Sequence, residues 1–522
     1  MEKIKKWLSE NYLYLLMWAA FSAVMCLLVF PQCSADFINY DSSYQYFLTQ
    51  HSLPEIMRLL PEDYSPPFYA LTLKLFTMLF GNTLYVMRVF NLGAIIGMLG
   101  LAAFPVRRAF GVKASVFCSA LFSCSSINLI LLHEIRPTYW SIYMFTAVGI
   151  YAYLAFFGGK RSDIAVFTVY SVIAMHTHNV AMLGALAVYI TMLLFALVQK
   201  DKKRFKCFFI SGVICAVVYI PWLMVVFKQF GNVKDHFWIS SLHTFDQLLH
   251  WTVLDPFDYP GGMLFTCTYI LIAAFVCVWM LRHVRWNKLR AATKFSDVLV
   301  LAEDKQTYVK AAFLIVIYLL SIAILMLFNE IAYPIASQRY FSIFSGVLLI
   351  VVSVALANSN IRVLPYALIL LFSLCFINDN VKLHQSINID SLNAQDMIDH
   401  LVSTEEEIVF LHGHEGTLGI MSYHFPQAKH LVCDDTFTVL NTYDVFTTDV
   451  QEIGDIRNIS KYCTEFYVKN EDDVHVDELK LTTDLLDAAG IEYELTEIGS
   501  YYMPYAYEPH FELAKITLTE AS

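Results

Sequence analysis

The stretch Leu84-Tyr-Val-Met-Arg-Val-Phe-Asn-Leu-Gly-Ala-Ile-Ile-Gly-Met-Leu-Gly-Leu-Ala-Ala-Phe104 carries a single charge, on Arg88. As an α-helix it would run about 31 Å, the thickness of a bilayer's hydrocarbon core. It reads as a membrane span. Ten more runs have the same character: 12–30, 114–132, 140–157, 163–180, 181–199, 207–227, 262–281, 311–328, 340–357 and 363–377. The chain is 57% hydrophobic and 16% charged, with mean hydropathy +0.53, where a soluble protein would carry about 25% charged residues. The expectation is a mainly α polytopic membrane protein of about eleven spans.

Charge placement orients these spans. Lys3, Lys5 and Lys6 precede the first, and every second connection is basic: Arg107, Arg108 and Lys113; Lys160 and Arg161; Lys200, Lys202, Lys203, Arg204 and Lys206; Arg282, Arg285, Lys288, Arg290 and Lys294; then Arg362. The alternate connections hold isolated cations such as Arg58, Arg136, Lys228, Lys234 and Arg339. Basic loops stay cytoplasmic. The expected localisation is therefore the plasma membrane, with the N-terminus inside and the first loop (31–81) and the C-terminus outside. No small-residue cleavage site follows the first apolar run, so it reads as a retained helix rather than a signal peptide.

The net charge of −11 conceals two opposite halves. Residues 379–522 carry −21, and residues 1–378 carry +10. A basic membrane part suits anionic lipid or phosphate, while the acidic tail argues against nucleic acid. Past residue 378, strand candidates at 407–411, 430–433, 465–469, 490–495 and 511–518 alternate with helices at 416–423 and 477–489, the pattern of a small α/β domain. The expected domains are 1–378 in the membrane and 379–522 outside it. Most of the 11 cysteines lie in apolar runs and none has metal-type spacing; Cys433 and Cys463 read either as a disulfide or as two small hydrophobes.

Polar residues that could carry chemistry gather on the outer side. Asp41, in Ile38-Asn-Tyr-Asp-Ser-Ser43, sits just beyond the first span. A carboxylate there can act as a general base, or it can cap the helix that follows. Glu62 and Asp63, ahead of Tyr64-Ser-Pro-Pro-Phe-Tyr69, could hold a divalent cation such as Mg or Mn, or be solvated acids in a turn. In His133-Glu134-Ile-Arg136-Pro-Thr-Tyr139, Arg136 could pair with a phosphate, or with Glu134 beside it. His176 and His178 close an apolar segment on different helix faces, which disfavours a shared metal. Gln338-Arg339-Tyr340 offers a second cation or an interfacial anchor.

In that order, these motifs resemble the GT-C superfamily of membrane glycosyltransferases, and within it the protein-mannosyltransferase and aminoarabinose-transferase group. The resemblance runs over roughly residues 10–360 and is carried by Asp41, Asp63-Tyr64-Ser-Pro-Pro-Phe-Tyr69, Gly81 with Arg88, Glu134-Ile-Arg136-Pro-Thr-Tyr139, Thr177-His178 and Arg339-Tyr340. It implies a polyprenyl-phosphate-linked sugar donor, Asp41 as catalytic base, and Arg136, Arg339 and Arg88 toward the donor phosphate. It further implies a donor and acceptor pocket that includes Asp63, Tyr64, Tyr69, Glu134, Tyr139, His178 and Tyr340, with metal at Asp63 and Glu62. The chain departs from the family at Ser42, where many relatives have a second acid, and at Ser65, where many have His or Lys. The partners so implied are the lipid-linked donor, membrane lipid, and an acceptor that is protein, glycan or lipid.

Two other classes compete. A transporter or lipid flippase would place its polar sites near the bilayer midplane, often in two related halves, and no internal repeat is visible here. A non-catalytic scaffold would use the acidic domain to bind a partner.

Overall fold

The computed structural model describes residues 2–35, 38–62, 65–125, 134–233, 271, 274–279, 281–282, 307–332, 335–404, 407–433, 443–446, 450–470, 477–502 and 510–519. Among these, eight helices are long and apolar enough to cross a membrane. They lie within α1 (Glu2–Val29), α5 (Leu84–Phe110), α7 (Pro137–Gly158), α9 (Asn179–Val198), α10 (Lys202–Val233), α11 (Thr307–Ile331), α12 (Arg339–Ala357) and α13 (Leu364–Thr404). The expected runs at 114–132 and 163–180 correspond to the shorter helices α6 (Val112–Ser123) and α8 (Arg161–Thr177). Most of the run at 262–281 lies outside the described residues. The protein is an integral, multi-pass membrane protein.

Exposure follows lipid as solvent. Leu13, Leu16 and Leu27 of α1 face outward, whereas α7 and α12 are buried in the bundle centre. Hydrocarbon gives helices no hydrophobic reason to associate, so small residues that let backbones approach do that work. At Gly346 on α12, a Cβ would overlap Thr146 Oγ1 of α7. That close contact brings the two helices together, and Arg136 and Arg339 stand at their N-terminal ends. In α5 the turn Ala102–Val106 is π-helical around Pro105, which supplies no backbone N–H to the ladder.

The first loop folds as three helices, α2 (Tyr40–Leu48), α3 (Leu53–Leu59) and α4 (Pro67–Phe80). Ser52 and Glu55 form a capping box on α3. Pro67 opens α4 and Gly81 closes it at φ +100°, a value that favours glycine.

α13 continues from the bundle across residue 378 to Thr404. Beyond it, β1 (Val409–His412), α14 (Glu415–His424), β2 (Lys429–Cys433), β3 (Val450–Gly454), β4 (Glu465–Asn470), α15 (Glu478–Ala489), β5 (Tyr493–Tyr502) and β6 (His510–Leu518) build one sheet of order β3-β2-β1-β4-β6-β5. Strands β3, β2, β1 and β4 are parallel, while β6 runs antiparallel to β4 and β5. This is the α/β domain that the alternation predicts, with one strand more, β3, whose Val450-Gln-Glu-Ile-Gly454 is too short and polar to read as one. Cys433 and Cys463 are free thiols.

The domain does not stand apart from the bundle. One apolar core joins Ile38, Tyr69, Leu73 and Met87 to Phe410, Ile420, Met421 and Tyr467, and a second joins Phe47, Ile56 and Trp222 to Leu418, Val432 and Phe446.

Candidate active site

Asp41 stands in the first turn of α2, but it does not cap that helix. Asn39 does, its side chain accepting a hydrogen bond from the Ser42 N–H at 2.9 Å. The Asp41 carboxylate is thereby left to face other partners. Arg136 pairs with its Oδ1, and Arg339 donates to its Oδ2 at 3.2 Å. Both guanidinium groups are largely buried, while the carboxylate is 37% exposed. Two cations thus meet one anion on the edge of the bundle.

The helices behind them reinforce the two cations. Arg136 is the residue before α7 and Arg339 opens α12, so both helices direct N-terminal ends here. His178 interrupts what the sequence presents as one helix end: α8 stops at Thr177, and His178 Nδ1 accepts the Val180 N–H as the cap of α9. Its ring meets Tyr340 at 5.2 Å between centroids. His176 turns away to the Val172 carbonyl and the Tyr219 ring.

Glu134 does not pair with the nearby Arg136, which is taken by Asp41. It is buried, and its Oε2 has no hydrogen-bond partner. Burial raises its carboxyl above the ordinary range, with Arg339 opposing. The adjoining backbone is fixed from two sides. Asn91 Nδ2 donates to the Glu134 carbonyl at 2.8 Å, and the Ile135 N–H donates to Ser42 Oγ at 3.1 Å. Tyr69 reaches the same Asn91 through its hydroxyl at 3.2 Å. Asn39 and Asn91 thus belong to the site without having been singled out in the sequence, and Ser42 belongs to it although the sequence marks it only as a departure from the family. Asn39 and Ser42 at least flank Asp41; nothing local marks Asn91.

Arg88 is placed elsewhere. It is 1% exposed and donates to the carbonyls of Cys33 and Ala35, bonds that brace the start of the first loop. Tyr139 is buried in α7. Asp63, Tyr64 and the Glu62 side chain lie outside the described residues, and among the described residues no three His, Cys, Asp or Glu side chains gather as a metal ligand set.

This geometry sits on a known architecture. Over 95% of the chain superposes on 97% of ArnT from Cupriavidus metallidurans, with TM-score 0.56 for the apo state and 0.53 for the form bound to undecaprenyl phosphate, at 12% identity in each. The fold is GT-C. The mycobacterial arabinofuranosyltransferase AftD overlaps 41% of its own length at 13% identity and TM-score 0.46. No protein-family profile matches the sequence. No curated protein sequence matches it either.

Proposed function

We propose that the protein transfers a hexose or pentose from a polyprenyl-phosphate-linked donor to an acceptor hydroxyl at the outer membrane face, inverting the anomeric centre, with Asp41 as base. The observation that carries this reading is the convergence of Arg136 and Arg339 on Asp41 at the starts of α7 and α12. Among the described ion pairs here, two guanidinium groups share the single carboxylate of Asp41. A phosphate diester is an anion, and guanidinium binds its oxygens in a fork. The ArnT fold, determined with undecaprenyl phosphate in that protein, supports a lipid phosphate as the anion. The basic connections supply the orientation.

The chemistry follows from the charges. The donor phosphate competes with Asp41 for the two guanidinium groups, and a carboxylate oxygen is freed to face the acceptor hydroxyl. As the acceptor oxygen bonds to C1, the C1–O bond to phosphate breaks and its electron pair leaves with the phosphate. The acceptor proton passes to Asp41. Arg136 and Arg339 stabilise the negative charge that develops on the leaving group, and buried guanidinium groups do so without reorganising solvent. His178 and Tyr340 stand beside the two arginines, their rings 5.2 Å apart.

The test uses full-length protein in liposomes, given radiolabelled undecaprenyl-phosphate hexoses and pentoses with peptide, glycan and lipid acceptors. Label in an acceptor together with free undecaprenyl phosphate is the expected result. Intact donor crossing the bilayer uncleaved would replace this reading with a carrier.

A further inference from the structure

We propose that the C-terminal domain clamps α2 through the carboxyl end of its sheet, so that Gly416, Gly419 and Lys469 are positioning residues for Asp41. The inference rests on the reading of Asp41 as base and adds a role for a domain that the reaction does not otherwise use.

In the order β3-β2-β1-β4, the direction of winding reverses between β1 and β4. In doubly wound sheets the crevice beyond the carboxyl ends of such strands takes the ligand. Here the crevice is filled from within. Glu478, 1% exposed, accepts the Gly413 N–H at 2.7 Å and the Thr417 hydroxyl at 3.0 Å, so the protein's own carboxylate lies beside the start of α14. Lys469, at the end of β4 and 2% exposed, has its ammonium 3.9 Å from Glu478 Oε1. The same ammonium is 5.1 Å from the centre of the Tyr40 ring, which also packs against His414 at 5.8 Å. Tyr40 is the residue before Asp41. The crevice therefore receives an aromatic side chain of the first loop.

Alongside it, α14 lies against α2 on a glycine face. A Cβ at Gly416 would stand 2.5 Å from Tyr40 Cδ1, and one at Gly419 would overlap Ser43 Oγ and lie 2.8 Å from both Ser43 Cβ and Phe446 Cε1. Two glycines three residues apart occupy one helical face, so the approach is a property of the whole contact. Around it, Tyr46 meets Tyr423 at 5.1 Å and Phe47 meets Phe446 at 5.3 Å. On its other side α2 is tied to the Glu134–Arg136 segment through Ser42. Asp41 thus rides on a helix gripped between the bundle and the domain, and a small shift of α2 would move its carboxylate relative to both arginines.

The experiment compares Gly419→Ala, Ser43→Gly and the double variant as full-length proteins, reading amide exchange of residues 40–48 together with kcat and KM on radiolabelled undecaprenyl-phosphate sugars. Gly419→Ala should raise exchange in that segment about tenfold and lower kcat about a hundredfold, as misplacements near 1 Å do, with donor KM within about twofold. The double variant should recover kcat to within about fivefold of Ser43→Gly, because the Ser43 contacts are then gone and only the edge of the Phe446 ring, 2.8 Å from the added methyl, has to give. Unchanged exchange in Gly419→Ala, unchanged kcat, or failure of the second substitution to rescue would each overturn the clamp. Should Gly419→Ala fail to accumulate, Lys469→Met removes the cation beneath Tyr40 without adding bulk and is read by the same exchange and kcat criteria. The exchange arm does not depend on the chemistry: an active Asp41→Asn would refute Asp41 as base while leaving the grip on α2 measurable.

Discussion

The two ends of the helical bundle treat their charges differently. At one end, Arg108 pairs with the buried Asp163 at 2.5 Å, and Arg107 donates to Asn11 at 2.7 Å while lying over the Tyr14 ring. There Arg107 and Arg108 each have their own partner. At the other end two guanidinium groups share Asp41, and Glu134 is buried with an oxygen that no hydrogen bond satisfies. Matched charges stabilise a fold and ask for nothing more. Two largely buried guanidinium groups that share one carboxylate, on helices packed at Gly346, can accept a further anion. The unbalanced end is the one to examine for function.

Removing a cation from each end should break the comparison most visibly. Arg339→Ala or Arg136→Ala should weaken undecaprenyl phosphate binding about tenfold to a hundredfold, the worth of a charge-assisted hydrogen bond, whereas Arg108→Ala should leave it unchanged. Titration of each variant with undecaprenyl phosphate checks this. Lysine at 339 should recover only part of the loss, because it lacks the planar fork.

A smaller effect lies in the domain stacked on the unbalanced end. His412 Nε2 faces His430 Nδ1 at 3.0 Å, and His430 Nε2 faces the Phe425 carbonyl at 3.1 Å. With His430 donating to that carbonyl, its Nδ1 accepts from His412, whose own Nδ1 is buried with no partner for a proton. Burial, then His430, hold His412 well below its ordinary value. The unfolded imidazole gains a proton below about pH 6.5 while the folded one does not. The stabilisation is present above that pH and is lost as pH falls, by up to about 1.4 kcal/mol per unit. Unfolding of the domain followed at pH 7.5 and 5.5 should show the loss, and His412→Gln should remove most of it. The smallest effect is expected at the balanced end. Asp163→Asn leaves the half-exposed Arg108 able to reach water, so turnover should stay within about twofold, in line with a structural pair.

Legibility in the sequence divides along the same physical line. Lipid as solvent demands long apolar runs and sorts basic residues by side, so Leu84–Phe104 declares itself without any knowledge of its neighbours. Asp41, Arg136 and Arg339 could each be noticed because polar groups at span ends are sparse. Their meeting could not be read, since Arg339 lies 298 residues from Asp41. Local readings misled where a distant partner or a neighbour intervened. Asp41 resembles a cap, yet Asn39 takes that role; Glu134 stands two residues from Arg136, yet Asp41 claims the arginine. Arg88 looks like a further phosphate ligand, but its donors face the carbonyls of Cys33 and Ala35. The grip of α14 on α2 depends on glycines whose significance appears only once Tyr40 and Ser43 are opposite them.

The central claim is that Asp41 removes the acceptor proton at a site whose arginines hold the donor phosphate. The most direct measurement is transfer of radiolabelled sugar by full-length Asp41→Asn in liposomes, with undecaprenyl phosphate affinity measured on the same preparation. The account predicts transfer reduced about a thousandfold, within the range of general-base catalysis, while lipid phosphate binds at least as tightly, because the competing carboxylate is gone. Transfer at the wild-type rate by that variant would contradict it.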